Sequence, residues 1–119
     1  MYVKDLMTPH VISVKPTDTL GVAREQFREN QIHHLVVLDD ETVVGLVSYR
    51  DLIGRNDTQL IAQVMSPDFA TCEATDSVRN AATRMIGKPH GCLPVMESGK
   101  VRGVITTTDL LRAVSHKTA

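Results

Sequence analysis

The sequence predicts an α+β fold made of two copies of one unit, each a small three-stranded sheet with helices on one side. Three observations predict it. The chain repeats itself without a gap at a spacing of 58 residues: Met7, Pro9, Thr17, Asp18, Ala23, Leu35, Val37, Val43, Gly45, Asp51 and Leu52 return as Met65, Pro67, Thr75, Asp76, Ala81, Leu93, Val95, Val101, Gly103, Asp109 and Leu110. Within each copy, short apolar runs of strand type alternate with stretches of helical period. Turn-forming residues separate these runs at matching places. An in-register repeat in a chain this short implies two supersecondary units sharing one module over 1–119, with a pseudo-twofold between them.

Each element can be justified in order. Val3–Met7 is a short turn halted by Pro9, and Ile61–Met65 is its echo before Pro67. Residues ahead of proline lean extended. Short strands follow at Val11–Val14 and Phe69–Cys72. Thr17-Asp18-Thr19 and Thr75-Asp76-Ser77 supply oxygens for helix N-caps. A helix from about Thr19 to Glu29 then places Leu20, Ala23 and Phe27 on one face, matched by Val78, Ala81, Ala82, Met85 and Ile86. Two strands joined by a tight turn come next: Leu35–Leu38 and Val43–Val47 around Asp39-Asp40-Glu41, and Leu93–Met96 and Val101–Ile105 around Glu97-Ser98-Gly99-Lys100. A last helix starts near Ser48 and near Thr106. The repeat units run over about 3–54 and 61–113, with a polar linker at about 55–60.

Composition narrows the function. With 119 residues the chain buries roughly two thirds of its unfolded surface, enough for a core. Aromatic residues make up only 3%, so that core is aliphatic. Thirteen basic residues are scattered among fourteen acidic ones, and no basic stripe tracks a nucleic acid. Cys72 and Cys92 lie in one copy opposite Val14 and His34, so no repeated disulfide framework exists. Free thiols in a cytoplasmic protein are the simpler expectation. The opening residues lack the apolar run of a signal peptide, and no stretch approaches a membrane span.

The pattern that bears chemistry is Gly45-Leu46-Val47-Ser48-Tyr49-Arg50-Asp51 and its echo Gly103-Val104-Ile105-Thr106-Thr107-Thr108-Asp109. It falls where a strand gives way to a helix. A hydroxyl residue followed three positions later by a carboxylate is a near capping box. The same geometry suits a ligand. Free N–H groups and the helix dipole attract phosphate, and an acceptor-only carboxylate can take both hydroxyls of a ribose. The two readings are compatible.

These motifs together resemble the cystathionine β-synthase (CBS) domain pair, also called a Bateman module. The resemblance covers about residues 3–113. It is carried by Leu6-Met7-Thr8-Pro9 and Val64-Met65-Ser66-Pro67, by Thr17-Asp18-Thr19-Leu20 and Thr75-Asp76-Ser77-Val78, by Leu93-Pro94-Val95, and by the Gly…Ser/Thr-x-x-Asp strand end in both copies. The resemblance implies a regulatory module that binds an adenosine-containing ligand (AMP, ADP or ATP) in clefts between the two copies. It implies no catalysis and no required cofactor. It assigns Ser48 and Asp51 to ribose or phosphate in one site and Thr106 and Asp109 in the other. Around the base it assigns Ile12, Ser13, His34 and Leu35, and in the second copy Ala70, Thr71, Cys92 and Leu93. Pro94 keeps a proline that Val36 replaces in the first copy. Arg50, a cation where the second copy has Thr108, is expected to draw phosphate to the first site. The resemblance also implies a homodimer of four units in a flat disk; the output is expected to go to a partner, an unknown effector protein, or to the oligomer.

Other readings compete. A ligand-free dimerisation scaffold, or S-adenosylmethionine or NAD as the ligand, keeps the fold and changes the occupant. His33, His34, His90 and Cys92 invite a metal site, yet no histidine is echoed by a histidine at its repeat partner. Cys92 as a nucleophile has no evident base and carboxylate set. Gly87-Lys88-Pro89-His90-Gly91 lacks phosphate-loop spacing and reads as a loop.

Overall fold

The computed structural model describes residues 1–118, with side chains as far as Ser115. In chain order the elements are α1 (Val3–Leu6), β1 (Ser13–Val14), α2 (Leu20–Asn30), β2 (His34–Asp39), β3 (Thr42–Ser48), a 3-10 turn at Tyr49–Leu52, a second at Ile61–Gln63, β4 (Cys72–Glu73), α3 (Val78–Met85), β5 (Cys92–Glu97), β6 (Lys100–Thr106) and α4 (Thr107–Thr118). They form two compact units. The first is Ile12–Asp68; the second combines Met1–Val11 with the chain from Phe69 onward.

Each unit holds a three-stranded sheet, ordered β1-β2-β3 in the first and β4-β5-β6 in the second. The short strand runs parallel to the middle one, as a strand–helix–strand crossover requires. The middle and last strands are antiparallel, joined by the two-residue turns Asp40-Glu41 and Ser98-Gly99. Even the irregularities repeat: the ladder slips between Val37 and Leu38, and again between Val95 and Met96. The core of the first unit is Val14, Leu20, Ala23, Phe27, Leu35, Val37, Val47, Leu52 and Ile61. That of the second is Val3, Cys72, Ala74, Ala81, Leu93, Val95 and Ile105. Aliphatic side chains supply nearly all of both.

Local chemistry explains the helix starts. The Thr19 hydroxyl accepts the Val22 N–H at 3.4 Å, and the Ser77 hydroxyl accepts the Asn80 N–H at 3.0 Å. Asp18 and Asp76 do something else. Each reaches back three residues, Oδ2 accepting the N–H of Lys15 or Glu73 at 2.8 Å. They close the turn before the helix and leave the capping to the hydroxyl residue after them.

The packed units are offset from the sequence repeats. Residues 3–8 belong to the first repeat but pack in the second unit; residues 61–66 begin the second repeat but pack in the first. Main-chain bonds hold both in the same way. The N–H groups of Ile61 and Ala62 reach the carbonyls of Asp18 and Pro16 at 2.8 and 3.0 Å. Val3 and Lys4 reach those of Asp76 and Ala74 at 2.9 and 3.0 Å. Ser66 exchanges both main-chain bonds with Leu46, and Thr8 does so with Val104. Each segment therefore covers the free edge of a last strand, which would otherwise expose unpaired backbone groups. The expected linker is part of this seam. Leu20 N–H donates to the Gln59 carbonyl at 2.8 Å, and Arg24 binds the Asp57 carboxylate and the carbonyls of Leu52 and Arg55.

The helix expected near Ser48 is only the 3-10 turn Tyr49–Leu52, whereas its counterpart is the twelve-residue α4. Gly54, in the left-handed region at φ +76, stops the first where Arg112 lets the second continue.

The repeated glycine of the strand-end motif has a packing cause. A Cβ on Gly45 would stand 2.9 Å from Met65 Sδ and 3.1 Å from the Ser66 carbonyl. A Cβ on Gly103 would collide with the Thr8 main-chain carbonyl, which cannot swing aside. Gly103→Ala is expected to cost about 1–3 kcal/mol of stability through overpacking. Gly45→Ala is expected to cost less, because a flexible thioether can yield. Urea unfolding of the two variants checks the order; a Gly103→Ala midpoint equal to wild type contradicts it.

Candidate functional site

The strand register brings the expected residues together within each unit. In the first, His34 opens β2 directly opposite Ser48, which ends β3. Ser13 opens β1 beside Val36, and the Ile12 carbonyl accepts the Val36 N–H at 3.4 Å. Ile12, Ser13, His34, Ser48 and Asp51 thus occupy one end of one sheet. In the second unit Cys92 opens β5 opposite Thr106, which ends β6. Ala70 and Thr71 lead into β4, the parallel neighbour of β5. Ile12, His34, Ala70 and Thr71 are partly exposed, and Ser13 is exposed.

Not every expected residue presents its side chain there. Leu35 and Leu93 are fully buried members of the two cores. They stand on the sheet face opposite to their neighbours His34 and Cys92, because successive strand side chains alternate. A part in binding is open to them only through the main chain. Cys92 is 2% exposed, and Pro94 is buried as well.

The two strand-to-helix corners share a frame and differ in detail. In the first, Asp51 Oδ2 accepts the Ser48 N–H at 2.7 Å. Asp51 is partly exposed, and the Arg50 side chain is exposed with no ion pair or hydrogen bond among the described residues. In the second, Asp109 Oδ2 accepts the Thr106 N–H at 2.9 Å and the Thr106 hydroxyl at 3.1 Å. The Asp109 N–H returns a bond to that hydroxyl at 3.4 Å, completing a reciprocal box. Arg112 stands 3.9 Å from the other carboxylate oxygen, and Asp109 is 8% exposed. The dipole argument for phosphate applies only to the long α4; the single turn after Ser48 sums too few peptide dipoles.

Three supporting contacts are not evident from the motifs. Arg84 on α3 donates to the Thr71 carbonyl at 3.0 Å and fixes the segment leading into β4. Its repeat counterpart is Gln26, so the repeat gives no hint of it. The carbonyls of His33 and Gly91 accept the N–H groups of Tyr49 and Thr107 at 3.0 and 2.9 Å, tying each corner to the start of the middle strand. Gly91 is needed because the Thr107 hydroxyl occupies the space of a Cβ. His33, its counterpart, faces no such demand, since the Tyr49 ring turns away to meet Phe27 edge-on at 5.8 Å.

The thiols are silenced by their setting. Burial, then the charge of Asp76, pushes Cys72 up to about 11; burial, then the charge of Asp109, pushes Cys92 up to about 12. Both are neutral at physiological pH, and the thiol form is a poor nucleophile. Among the described residues no group of three or more His, Cys, Asp or Glu is gathered for a metal. Because folding raises both values above the ordinary 9.0, the thiols' contribution to stability is complete below about pH 9 and is lost as pH climbs through 11 to 12. Iodoacetamide at pH 8 should label neither cysteine appreciably in the native protein and both rapidly in urea. Rapid native labelling of Cys92 would contradict the burial.

Comparison with known proteins agrees with this architecture. The CBS domain family matches twice, over residues 3–56 and 61–116. The homoserine O-acetyltransferase of Methanocorpusculum labreanum is 34% identical over 114 residues, covering 92% of this chain and 23% of that one. The corresponding enzyme of Methanobrevibacter ruminantium is 31% identical over 117 residues, 95% of this chain and 24% of its own. The chain thus spans about a quarter of the length of these curated relatives. Among solved structures, the Arabidopsis thaliana CBS-pair protein CBSX2 superposes with a TM-score of 0.84 at 26% identity, covering 98% of this chain and 96% of that one. The CBS domain pair of protein MJ0100, solved with 5-methylthioadenosine and S-adenosyl-L-methionine, gives 0.88 at 22% identity over 98% of each chain. With both repeats matched and the fold shared along nearly the whole length, this chain belongs to the CBS domain family, as a tandem pair.

Proposed function

We propose that this chain is a regulatory module that binds an adenosine-containing nucleotide (AMP, ADP or ATP) and performs no chemistry. One observation carries the proposal. The residues assigned to ribose and base gather at the same end of a sheet in each unit, with Ser48 and Asp51 at one corner and Thr106 and Asp109 at the other. The base-flanking set is Ile12, Ser13, His34 and the Leu35 main chain in the first unit, and Ala70, Thr71 and the main chain of Cys92, Leu93 and Pro94 in the second.

Arg50 favours a phosphate over a sulfonium. It is an exposed cation two residues after Ser48, attracting the one and repelling the other. S-adenosylmethionine, named with the MJ0100 pair, is therefore the second reading and NAD the third. Binding regulates only through a difference in affinity between two states of the protein. The exposed apolar side chains of Ile86, just after α3, and of Leu111 and Val114 on α4 support self-association as a homodimer.

Thermal unfolding against AMP, ADP, ATP, S-adenosylmethionine and NAD tests the reading. A ligand at 100 times its Kd adds about 2.7 kcal/mol, which raises the midpoint by several degrees. Silence of all five at millimolar concentration favours a ligand-free scaffold. Arg50→Ala should weaken ATP more than adenosine, while Thr108→Ala should weaken neither appreciably. Equal loss of ATP and adenosine in Arg50→Ala contradicts a phosphate contact.

A further inference from the structure

The turn that carries Asp51 lacks the helix that secures its counterpart. After Asp109 the chain runs on through α4, whose regular i to i−4 bonds occupy the carbonyls of Asp109 and Leu110. After Asp51 there is a single 3-10 turn, and the chain leaves it at Gly54. The main chain supplies two long bonds there. Ile53 N–H donates to the Arg50 carbonyl and Arg55 N–H to the Leu52 carbonyl, each at 3.2 Å. The Leu52 side chain is buried in the core and anchors the turn without fixing the direction of its peptides.

Two guanidinium groups stand where helical N–H donors would. Arg55 Nε donates to the Asp51 carbonyl at 3.0 Å. Arg24, on α2, donates from Nη2 to the carbonyls of Leu52 and Arg55, the second at 2.7 Å. Its Nη1 binds the Asp57 carboxylate. One planar fork thus meets three acceptors, a geometry that a lysine ammonium does not reproduce. The Arg24 side chain is 31% exposed, so most of it lies against the protein. The stretch it grips is tied to α2 by the main chain as well, since Gly21 N–H donates to the Asp57 carbonyl at 3.0 Å. The second copy has none of this set: Ala82, Ala113 and Ser115 stand opposite Arg24, Arg55 and Asp57. The arginines occur in the copy whose helix is missing.

We infer that Arg24 is the positioning residue of the Asp51 corner, holding from α2 the turn whose counterpart α4 holds by its own hydrogen bonds. It acts through the Leu52 carbonyl, one residue after Asp51, and through Arg55, whose guanidinium binds the Asp51 carbonyl. With the clamp gone, the peptides after Asp51 are free to turn, and the carboxylate loses its fixed aim at the Ser48 N–H. The consequence for binding rests on the adenosine reading above: nucleotide affinity in the first unit depends on a side chain outside the site.

Amide hydrogen exchange, with calorimetry against AMP, ADP and ATP, tests this on the intact chain. In Arg24→Gln the Ser48, Ile53 and Arg55 amides should exchange about tenfold faster or more, the factor for losing a hydrogen bond from a charged group. The Val36 and Leu46 amides of the sheet should keep wild-type rates, and nucleotide should bind about tenfold more weakly. Arg24→Lys keeps the charge without the fork and should restore neither. Asp57→Asn, on an exposed side chain, removes one acceptor and should shift the same amides by less. Arg102→Ala, which removes an exposed arginine beside Glu97, should shift none of them. Unchanged exchange at Ser48, Ile53 and Arg55 overturns the inference. So does an equal rise at Val36 and Leu46, which marks general destabilisation, or full recovery in Arg24→Lys. Unchanged nucleotide affinity in Arg24→Gln overturns it too. Silence of the wild type toward all three nucleotides overturns the adenosine reading instead, and the exchange rates still decide the clamp.

Discussion

A side-chain oxygen that reaches back three residues to a main-chain N–H shapes the corners on which the rest of this structure depends. It occurs in three repeated pairs: Asp5 with Tyr2 and Gln63 with Leu60, Asp18 with Lys15 and Asp76 with Glu73, Asp51 with Ser48 and Asp109 with Thr106. All six bonds lie between 2.7 and 3.0 Å. Each stands where an extended segment turns into a bend or helix and where an N–H would otherwise lack a helical partner. Bonds to charged acceptors contribute more than neutral ones, about 1.5–3 kcal/mol against about 1. The third pair is also where the strand-end motif lies, so one device serves both fold and site. Its first duty is structural, and only oxygens left over can meet a ligand.

The second constraint is the exchange of opening segments. Each unit completes its core and covers its last strand with residues borrowed from the other repeat: Ile61 with Ser66, Val3 with Thr8. The chain crosses between units at residues 11–12 and 68–69. Truncating either opening segment would uncover a strand edge and leave a core short of a fully buried aliphatic residue. The paired Met-Thr/Ser-Pro and glycine motifs are thereby one feature: the glycine makes room for the segment, and the segment's main chain caps the edge beside it.

Much of this was legible in the sequence. Helices α2 and α3 were located by hydroxyl caps and an apolar stripe, and the strands by aliphatic runs with tight turns. The residues of each strand-end corner were found because a constant 58-residue offset pointed to them twice. What escaped has physical reasons. Thr17-Asp18-Thr19 offers three candidate cap oxygens, and spacing alone does not divide a turn closer from a cap. The family resemblance assigns Leu35 and Leu93 to the site, although strand alternation sends them to the core. Repetition hid the asymmetry of the corners, because Ser48 with Asp51 and Thr106 with Asp109 look alike. The difference lies at Gly54 and Arg112, outside the motif. Contacts such as Arg24 with the 55–57 stretch and Arg84 with Thr71 have no echo in the other copy, and a repeat-based reading passes over them.

The proposed adenine-nucleotide site stands or falls on the strand-end carboxylates Asp51 and Asp109. A crystal structure of the chain grown with ATP tests this most directly. Ribose oxygens are expected within hydrogen-bond distance of Asp51 or Asp109. A nucleotide whose ribose contacts neither carboxylate would contradict it.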